Sequence, residues 1–348
     1  MNVKCFSISD SHQKELLGSA IVPEIISLNF LSVGSDEAYD LLFYSPDLER
    51  TNTGGLTTTV IQQYVHLEYG GWWCSGLNAL TLEDSMWGCL KPNSPRQSAE
   101  KKIIKYEHPY HLPTEVFCLK VGSHQWGQIA KKAGADCPAL LTIAKDQIPS
   151  LFWQWVKDNP SIPILITEGA KKAASLLSHG YAAIGLPGIY GGYRTPKNEN
   201  KEPTGEPRYL IPQLEAFCQE GREFVFAFDN DKKESTIKAV KTAIAKTGEL
   251  IEAKGCKVSV MVWFFDVKGI DDLITKYQET NLDNIFSKRI ALSEYCPQFP
   301  LIKAEDLPPL KEALSLLLEQ DISPIEELDK LAQIKGLYRR LYAPVDVE

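Results

Sequence analysis

Five acidic residues in this chain have the types and spacing to do chemistry together: Glu168, Asp229, Asp231 and the pair Asp271-Asp272. Each follows a short apolar run. Ile164-Leu165-Ile166-Thr167 is closed by Glu168-Gly169, residues 224–228 by Asp229-Asn230-Asp231, and residues 258–265 by Asp266 and then Lys268-Gly269-Ile270-Asp271-Asp272. Carboxylates delivered from three segments to one place repel each other, and a cation must offset that repulsion. Mg²⁺ (or Mn²⁺), a hard ion that takes oxygen ligands, suits them. On that view, removing Asp229 or Asp231 relieves repulsion and leaves the fold intact. The other reading makes these residues turn formers and helix N-caps, common positions for Asp and Asn.

The elements that must position them follow from hydrophobic pattern. Short continuous apolar runs alternating with helical patterns predict a parallel α/β sheet, whose ligands bind at the carboxyl ends of the strands. Residues 169–177 read as a helix stopped near Gly180, its N-terminus facing the acidic edge, where the dipole favours phosphate. Lys171 and Lys172 in its first turn either add charge there or are solvated. A strand over 182–186 runs into the glycine-rich stretch 185–194, which lacks the Gly-Lys-Ser/Thr ending of a P-loop. It is either an anion-binding turn or a plain loop. Residues 195–208 form a polar, proline-containing insertion, and the helix after Asp231 sets Ile237, Val240, Ile244 and Ile251 on one face.

This ordered set resembles the Toprim domain, the metal-binding module of bacterial primases, topoisomerases and some nucleases. There a lone Glu follows the first strand, Asp-x-Asp a later one, and further acids the next. Glu168, Asp229, Asp231 and Asp271/Asp272 match in order, over about a third of the chain. The resemblance implies that Asp229, Asp231 and Asp271 or Asp272 hold the metal. Two ions then clamp a triphosphate and activate a primer 3′-hydroxyl for in-line attack. Glu168 becomes a general acid/base or a further metal ligand. Lys268 stabilises phosphate charge, or is a surface or capping residue.

Ahead of this region, residues 60–120 read as β-rich and aromatic, with Tyr64, Trp72, Trp73, Trp87, Tyr106 and Tyr110, and with Gly70, Gly71, Gly76 and Gly88 as turns. Between Lys91 and Lys132 the net charge is +5, which leaves −13 for the remainder of a chain of net charge −8. Aromatics interleaved with basic residues can stack bases and contact phosphates; they can equally be a small antiparallel core. Lys91, Arg96, Lys105 and Tyr106, together with Lys171 and Lys172, are the candidate nucleic-acid contacts, with Trp87 as a second stacking candidate. Lys105-Tyr106-Glu107-His108-Pro109, followed by Pro113-Thr114-Glu115-Val116-Phe117, resembles the stretch preceding Toprim in bacterial replicative primases, where a basic subdomain and Toprim enclose the cleft. Glu107, His108 and the spacing to Thr114 depart from that pattern. His108, His111 and Cys118 match no common zinc spacing.

Length and composition suit a multi-domain protein with an ample core: 348 residues, 44% hydrophobic and 24% charged. No apolar run reaches transmembrane length, the first residues lack a secretory pattern, and eight cysteines form no Cys-x-x-Cys pair. A cytoplasmic protein with reduced thiols and no membrane partner is expected. The expected organisation is an N-terminal helical region (1–59), a smaller basic α+β subdomain (60–160), a Toprim-type parallel-sheet domain (161–295) and a C-terminal helical tail (296–348). The resemblance implies a primase-like nucleotidyltransferase of plasmid- or phage-type replication, acting on single-stranded DNA with nucleoside triphosphates and Mg²⁺ or Mn²⁺. A replicative helicase is a further partner it allows. The sequence shows no zinc module and no helicase motor. A Toprim nuclease and a non-catalytic nucleic-acid-binding module are the alternatives.

Overall fold

A computed structural model describes residues 7–263 and 266–296. The expected helical tail lies, from residue 297 on, outside the described residues, as do Phe264 and Phe265 at the end of the third expected strand. Residues up to Cys296 form one compact unit.

Ser9 caps α1 (Asp10–Leu17), its hydroxyl accepting from the His12 N–H, and Pro23 opens α2 (Pro23–Asn29). The region expected to be helical up to residue 59 also contains a strand. Phe30–Val33 is a strand, β1, followed by α3 (Ser35–Leu42) and α4 (Thr58–Gln63). The next stretch, expected to start a β-rich segment, is still helical through a 3-10 turn at Val65–Tyr69. β2 (Gly71–Leu77) pairs antiparallel with β1 on one side and with β3 (Asp84–Pro92) on the other.

Successive side chains on a strand face opposite ways, and on β2 both ways are inward. Trp72 enters the main core; Trp73 enters a second cluster with Val33, Leu42, Phe43, Tyr64 and Leu90. Burial on both faces explains why the strand sequence is apolar without alternation. Trp72, Trp73 and Trp87 are each at most 4% exposed, so the antiparallel-core reading holds for them. Gly76 and Gly88 are not turns. They lie inside β2 and β3, where a Cβ would collide with the Cys118 carbonyl and with the Trp73 ring.

An extended segment couples this sheet to the next. The Leu77 N–H donates to Cys118 O at 2.7 Å, and Phe117 and Gly185 exchange backbone hydrogen bonds of 2.7 and 3.1 Å. Two helices follow, α5 (Ser123–Ala133) and α6 (Ile148–Asp158). Carbonyls at a helix end need partners, and at the end of α6 the wholly buried Arg222 supplies them. Its guanidinium donates to Val156 O at 2.7 Å, Lys157 O at 2.9 Å and, just beyond, Ile162 O at 3.0 Å.

The central sheet is α/β and mostly parallel. It comprises β4 (Ile164–Glu168), α7 (Ala170–Ser178) and β5 (Ala183–Leu186). A small ladder of β6 (Tyr193–Arg194) and β7 (Tyr209–Leu210) closes the base of the insertion, and α8 (Pro212–Glu215) follows. Then come β8 (Glu223–Phe226), α9 (Glu234–Glu252), β9 (Lys257–Val260), α10 (Ile270–Ser287), β10 (Ile290–Ala291) and α11 (Leu292–Tyr295). The strand order is β10-β9-β8-β4-β5, with only β10 antiparallel. β8 and β9 end before their apolar runs do: Ala227, Phe228, Met261 and Trp263 are buried beyond the ladders. On α9, Val240, Ile244 and Ile251 face the core as expected, joined by Ala243, Thr247 and Gly248, while Ile237 remains 39% exposed.

Candidate active site

The chain leaves β4 through α7 to β5 on one side, then places β8 and β9 on the other. Strand order therefore reverses between β4 and β8, and the crevice beyond their carboxyl ends is where an open α/β sheet binds ligands. Glu168 is the last residue of β4. Gly169, at φ 86°, turns the chain directly into α7, a backbone angle that disfavours any side chain. Ile166 is in register with Phe226, and the Thr167 hydroxyl donates to Ala227 O at 2.9 Å, so Glu168 and Asp229 emerge at nearly the same level.

Two lysines stand among these acids. Lys172 Nζ is 2.9 Å from Asp229 Oδ1. Lys268 Nζ is 2.7 Å from Asp231 Oδ2 and 3.8 Å from Asp229 Oδ2. Two lysines of the chain itself thus offset the carboxylate crowding. The Lys172–Asp229 contact is an ion pair by distance but off the angle of a good hydrogen bond, which leaves Asp229 Oδ1 buried with no hydrogen-bond donor. The Glu168 carboxylate makes no hydrogen bond or ion pair among the described residues.

Local fields follow from this packing. Burial raises the Glu168 pKa; Lys172 and Lys268 oppose the rise, and Asp229 and Asp231 add to it. Burial also raises that of Asp271, against Lys172 and with Asp272. For Lys172, burial disfavours the charge, yet Asp229, then Asp271 and Glu168, outweigh it and the pKa is raised. The hydrogen bond between Lys268 and Asp231 raises the lysine and lowers the carboxyl, which also accepts from the Lys233 N–H at 3.2 Å.

The third acidic group splits by role. Asp272 accepts from the Gly269 N–H at 3.4 Å, the capping-box position of α10, so it serves as the helix cap weighed above. Asp271, one residue earlier, lies within the field of Lys172. Gly269 is needed for close approach: a Cβ there would meet the Asp271 carboxylate and sit 3.0 Å from Lys172 Cε. Asp266 pairs instead with exposed Lys232, at 2.5 Å. Asn230, the unremarked middle of Asp-x-Asp, ties the Lys268 loop down: its N–H donates to Lys268 O at 2.9 Å and its Nδ2 to Trp263 O at 2.8 Å.

Residues from the antiparallel half face this edge. Adjacent helical positions point about 100° apart; while Lys172 turns to Asp229, Lys171 reaches Glu15 on α1 at 3.2 Å. Glu15 also binds Lys91 at 2.7 Å and accepts from Trp72 Nε1 at 3.3 Å. Sequence reasoning missed Glu15 because α1 was read only for its apolar side. Tyr106 stands edge-on to Trp72, ring centroids 5.8 Å apart. Burial pushes its pKa up, and the fields of Cys89, Glu15 and Asp271 add to this. Lys105 is exposed and has no partner among the described residues.

Three expectations are corrected. Arg96 is not free for phosphate: Nε and an Nη donate to the two carboxylate oxygens of buried Glu107 at 2.7 and 3.0 Å, and its guanidinium lies 4.6 Å from the Tyr64 ring centre. Trp87 cannot stack a base, because it is buried and stacked on His108, centroids 5.1 Å apart and planes 3° from parallel. The repulsion argument also fails for Asp229, which holds a lysine in place. His108 Nδ1 bonds Gly88 O at 2.9 Å. Glu107 and His108, the two departures from the primase-like stretch, are therefore packing partners.

The oxygen donors suit a hard divalent cation in kind, although Asp229 Oδ1 already faces the Lys172 ammonium. As they stand, no three His, Cys, Asp or Glu side chains among the described residues are grouped to hold one; the ammonium groups of Lys172 and Lys268 occupy the space between them. No helix among the described residues is long and apolar enough to cross a membrane.

Residues 152–281 match the model of a family described as a domain of unknown function, DUF3854. An uncharacterised protein of Picosynechococcus sp. is 44% identical over 334 residues, covering 94% of this chain; the chain spans 32% of that relative's length. Among solved structures, the chain is similar to the Aquifex aeolicus primase (zinc-binding and RNA polymerase domains), with a TM-score of 0.46 at 12% identity, covering 97% of this chain and 70% of that one. It is also similar to the RNA polymerase domain of Mycobacterium tuberculosis primase DnaG, with a TM-score of 0.41 at 12% identity, covering 95% and 84%.

Proposed function

We propose that this chain is the catalytic part of a primase-like nucleotidyltransferase that extends primers on single-stranded DNA from nucleoside triphosphates, in replication of the plasmid or phage type. The observation that supports the reading is the meeting of Glu168, Asp229 and Asp231 with Lys172 and Lys268 at the strand-order reversal, beside the Lys171–Glu15–Lys91 contacts that tie α7 to the antiparallel half. Asp229, Asp231 and Glu168 would hold a divalent cation, and the chemistry it supplies when bound is neutralisation of phosphate charge and a lowered pKa for the attacking hydroxyl.

The chain's own residues supply the rest. Lys268 is 60% exposed and on a loop, so it can leave Asp231 for a phosphate oxygen. Glu168, its pKa raised by burial, is a suitable proton acceptor for the primer hydroxyl. Lys105 meets the template backbone and Tyr106 a base. Lys91 and Lys171, both held by Glu15, are a second place for phosphate once that carboxylate is displaced.

The test is incubation with single-stranded DNA, ribo- or deoxyribonucleoside triphosphates and Mg²⁺ or Mn²⁺, with both extension and cutting followed on gels. Template-dependent extension lost in Asp231→Asn is the expected result. Cutting without extension would replace the reading with a nuclease, and neither would end both.

A further inference from the structure

Glu15 stands apart from the acids of the sheet edge. It lies on α1, next to the fully buried Leu16 that anchors that helix, and donors from three other elements surround its carboxylate. Lys91 Nζ, from β3, is 2.7 Å from Oε2. The Trp72 indole N–H, from β2, donates to the same oxygen at 3.3 Å. Lys171 Nζ, from the first turn of α7, is 3.2 Å from Oε1. Burial opposes the charge of Glu15, yet Lys91 and Lys171 outweigh it and the pKa is lowered.

These donors are positioned by parts of the fold other than Glu15. Trp72 is 1% exposed, with the rings of Phe30 and Tyr106 edge-on to it at 5.4 and 5.8 Å, so the direction of its N–H is fixed. Lys91 is the register partner of Trp72 on the neighbouring strand, which puts both side chains on one face. Lys171 projects from a helix N-terminus, where the dipole favours an anion. Two cations on separate oxygens and a third donor from a buried ring are also a grip for a phosphate group. The grip is open to exchange: the side chains of Glu15, Lys91 and Lys171 are 30%, 32% and 20% exposed, and ion pairs that water reaches are weak.

We propose that Glu15 is an internal competitor: its carboxylate fills a phosphate-binding place made by Lys91, Lys171 and the Trp72 N–H, and the phosphate group of a nucleotide or of a nucleic-acid backbone must displace it to bind. The inference deepens the reading of this place given above and rests on it for the source of the phosphate.

The experiment measures binding by calorimetry in the absence of metal, with two probes, inorganic tripolyphosphate for the nucleotide tail and a single-stranded oligothymidylate for the backbone. Wild type, Glu15→Gln and Glu15→Gln/Lys91→Met/Lys171→Met are compared, each confirmed folded by near-UV circular dichroism. Glu15→Gln keeps the shape of the side chain and removes its charge. It should bind one of the probes about five-fold or more tighter than wild type, the cost of breaking two partly exposed ion pairs, and the triple variant should lose that gain. Tightening for tripolyphosphate assigns the place to the nucleotide; tightening for the oligonucleotide alone assigns it to the backbone. Unchanged affinity for both probes, or a gain that survives in the triple variant, would overturn the role of Glu15. Primer extension is followed separately: extension by wild type with no gain in Glu15→Gln refutes this inference and leaves the primase-like reading standing, whereas a gain without extension by any variant keeps the phosphate place and ends that reading. Should Glu15→Gln fail to fold, Glu15→Asp, whose shorter side chain cannot span the same two lysines, takes its place with the same expected and refuting results.

Discussion

Arg96→Ala separates a structural charge from a nucleic-acid contact. The substitution removes two hydrogen bonds to an ionised carboxylate, each worth about 1.5–3 kcal/mol. It returns about 2 kcal/mol of side-chain entropy. What remains is Glu107, buried, with His66 Nε2 at 3.3 Å as its nearest basic group. Breaking a buried pair from one side costs about 3–5 kcal/mol; because the Arg96 side chain is 21% exposed, the expected loss is nearer 2–4 kcal/mol on the same scale. The assay is urea unfolding followed by tryptophan fluorescence, run as a double-mutant cycle with Glu107→Gln. The double variant should recover at least about 1 kcal/mol over Arg96→Ala, since the stranded charge is gone. Single-stranded DNA binding by folded Arg96→Ala should keep its dependence on salt. A variant within about 0.5 kcal/mol of wild type, with a log–log salt slope shallower by about 0.7, would refute the reasoning and restore Arg96 as a phosphate contact.

Other outcomes follow from the same geometry. Asp229→Ala should destabilise the protein by roughly 2–4 kcal/mol because it strands Lys172, and Asp229→Ala/Lys172→Met should be more stable than the single variant in the same unfolding assay. Glu168→Gln should raise the melting temperature at neutral pH while abolishing extension, because burial makes the ionised Glu168 a cost to the fold; a lower melting temperature would contradict this. Burial, the first cause at both, lowers the pKa of His66 against Glu107 and of His108 against Gly88 O. The unfolded chain therefore takes up their protons first. The stability they contribute is complete above about pH 6.5 and falls as pH drops below it, and unfolding free energies from pH 7.5 to 5.5 should flatten in His66→Gln/His108→Gln. Lys105→Ala should weaken DNA binding alike for all sequences and flatten the salt slope by about 0.7, whereas Tyr106→Ala should cost about 1–3 kcal/mol at unchanged slope.

The legible part of the sequence was the part written in short-range pattern. Ile164-Leu165-Ile166 and Phe224-Val225-Phe226 are apolar on both faces and could only be buried strands, so the sheet and the edge that Glu168 and Asp229 share followed. β1 was not legible: Phe30-Leu31-Ser32-Val33 is too short to outweigh the helical patterns on either side, and its identity depends on β2, some forty residues away. Pairing across the chain was hidden for the same reason. Nothing near Arg96 announces Glu107, and nothing near Lys172 announces Asp229. A lysine two places past Glu168-Gly169 looks the same in sequence whether it meets solvent, phosphate or a carboxylate. Asp271 and Asp272 could not be told apart in sequence, because the second and third positions of a helix are equal as letters, while only Asp272 reaches back to the Gly269 N–H.

The backbone exchange between Phe117 and Gly185 joins the wall that carries Tyr106 to the edge strand of the sheet that carries Glu168. The antiparallel half and the central sheet, joined by this bridge, cannot swing apart as rigid lobes without first breaking its two hydrogen bonds. Motion at the acidic edge is then left to lysine arms and to the loop bearing Lys268, on nanosecond-to-microsecond times, instead of the slower microsecond-to-millisecond times of domain movement.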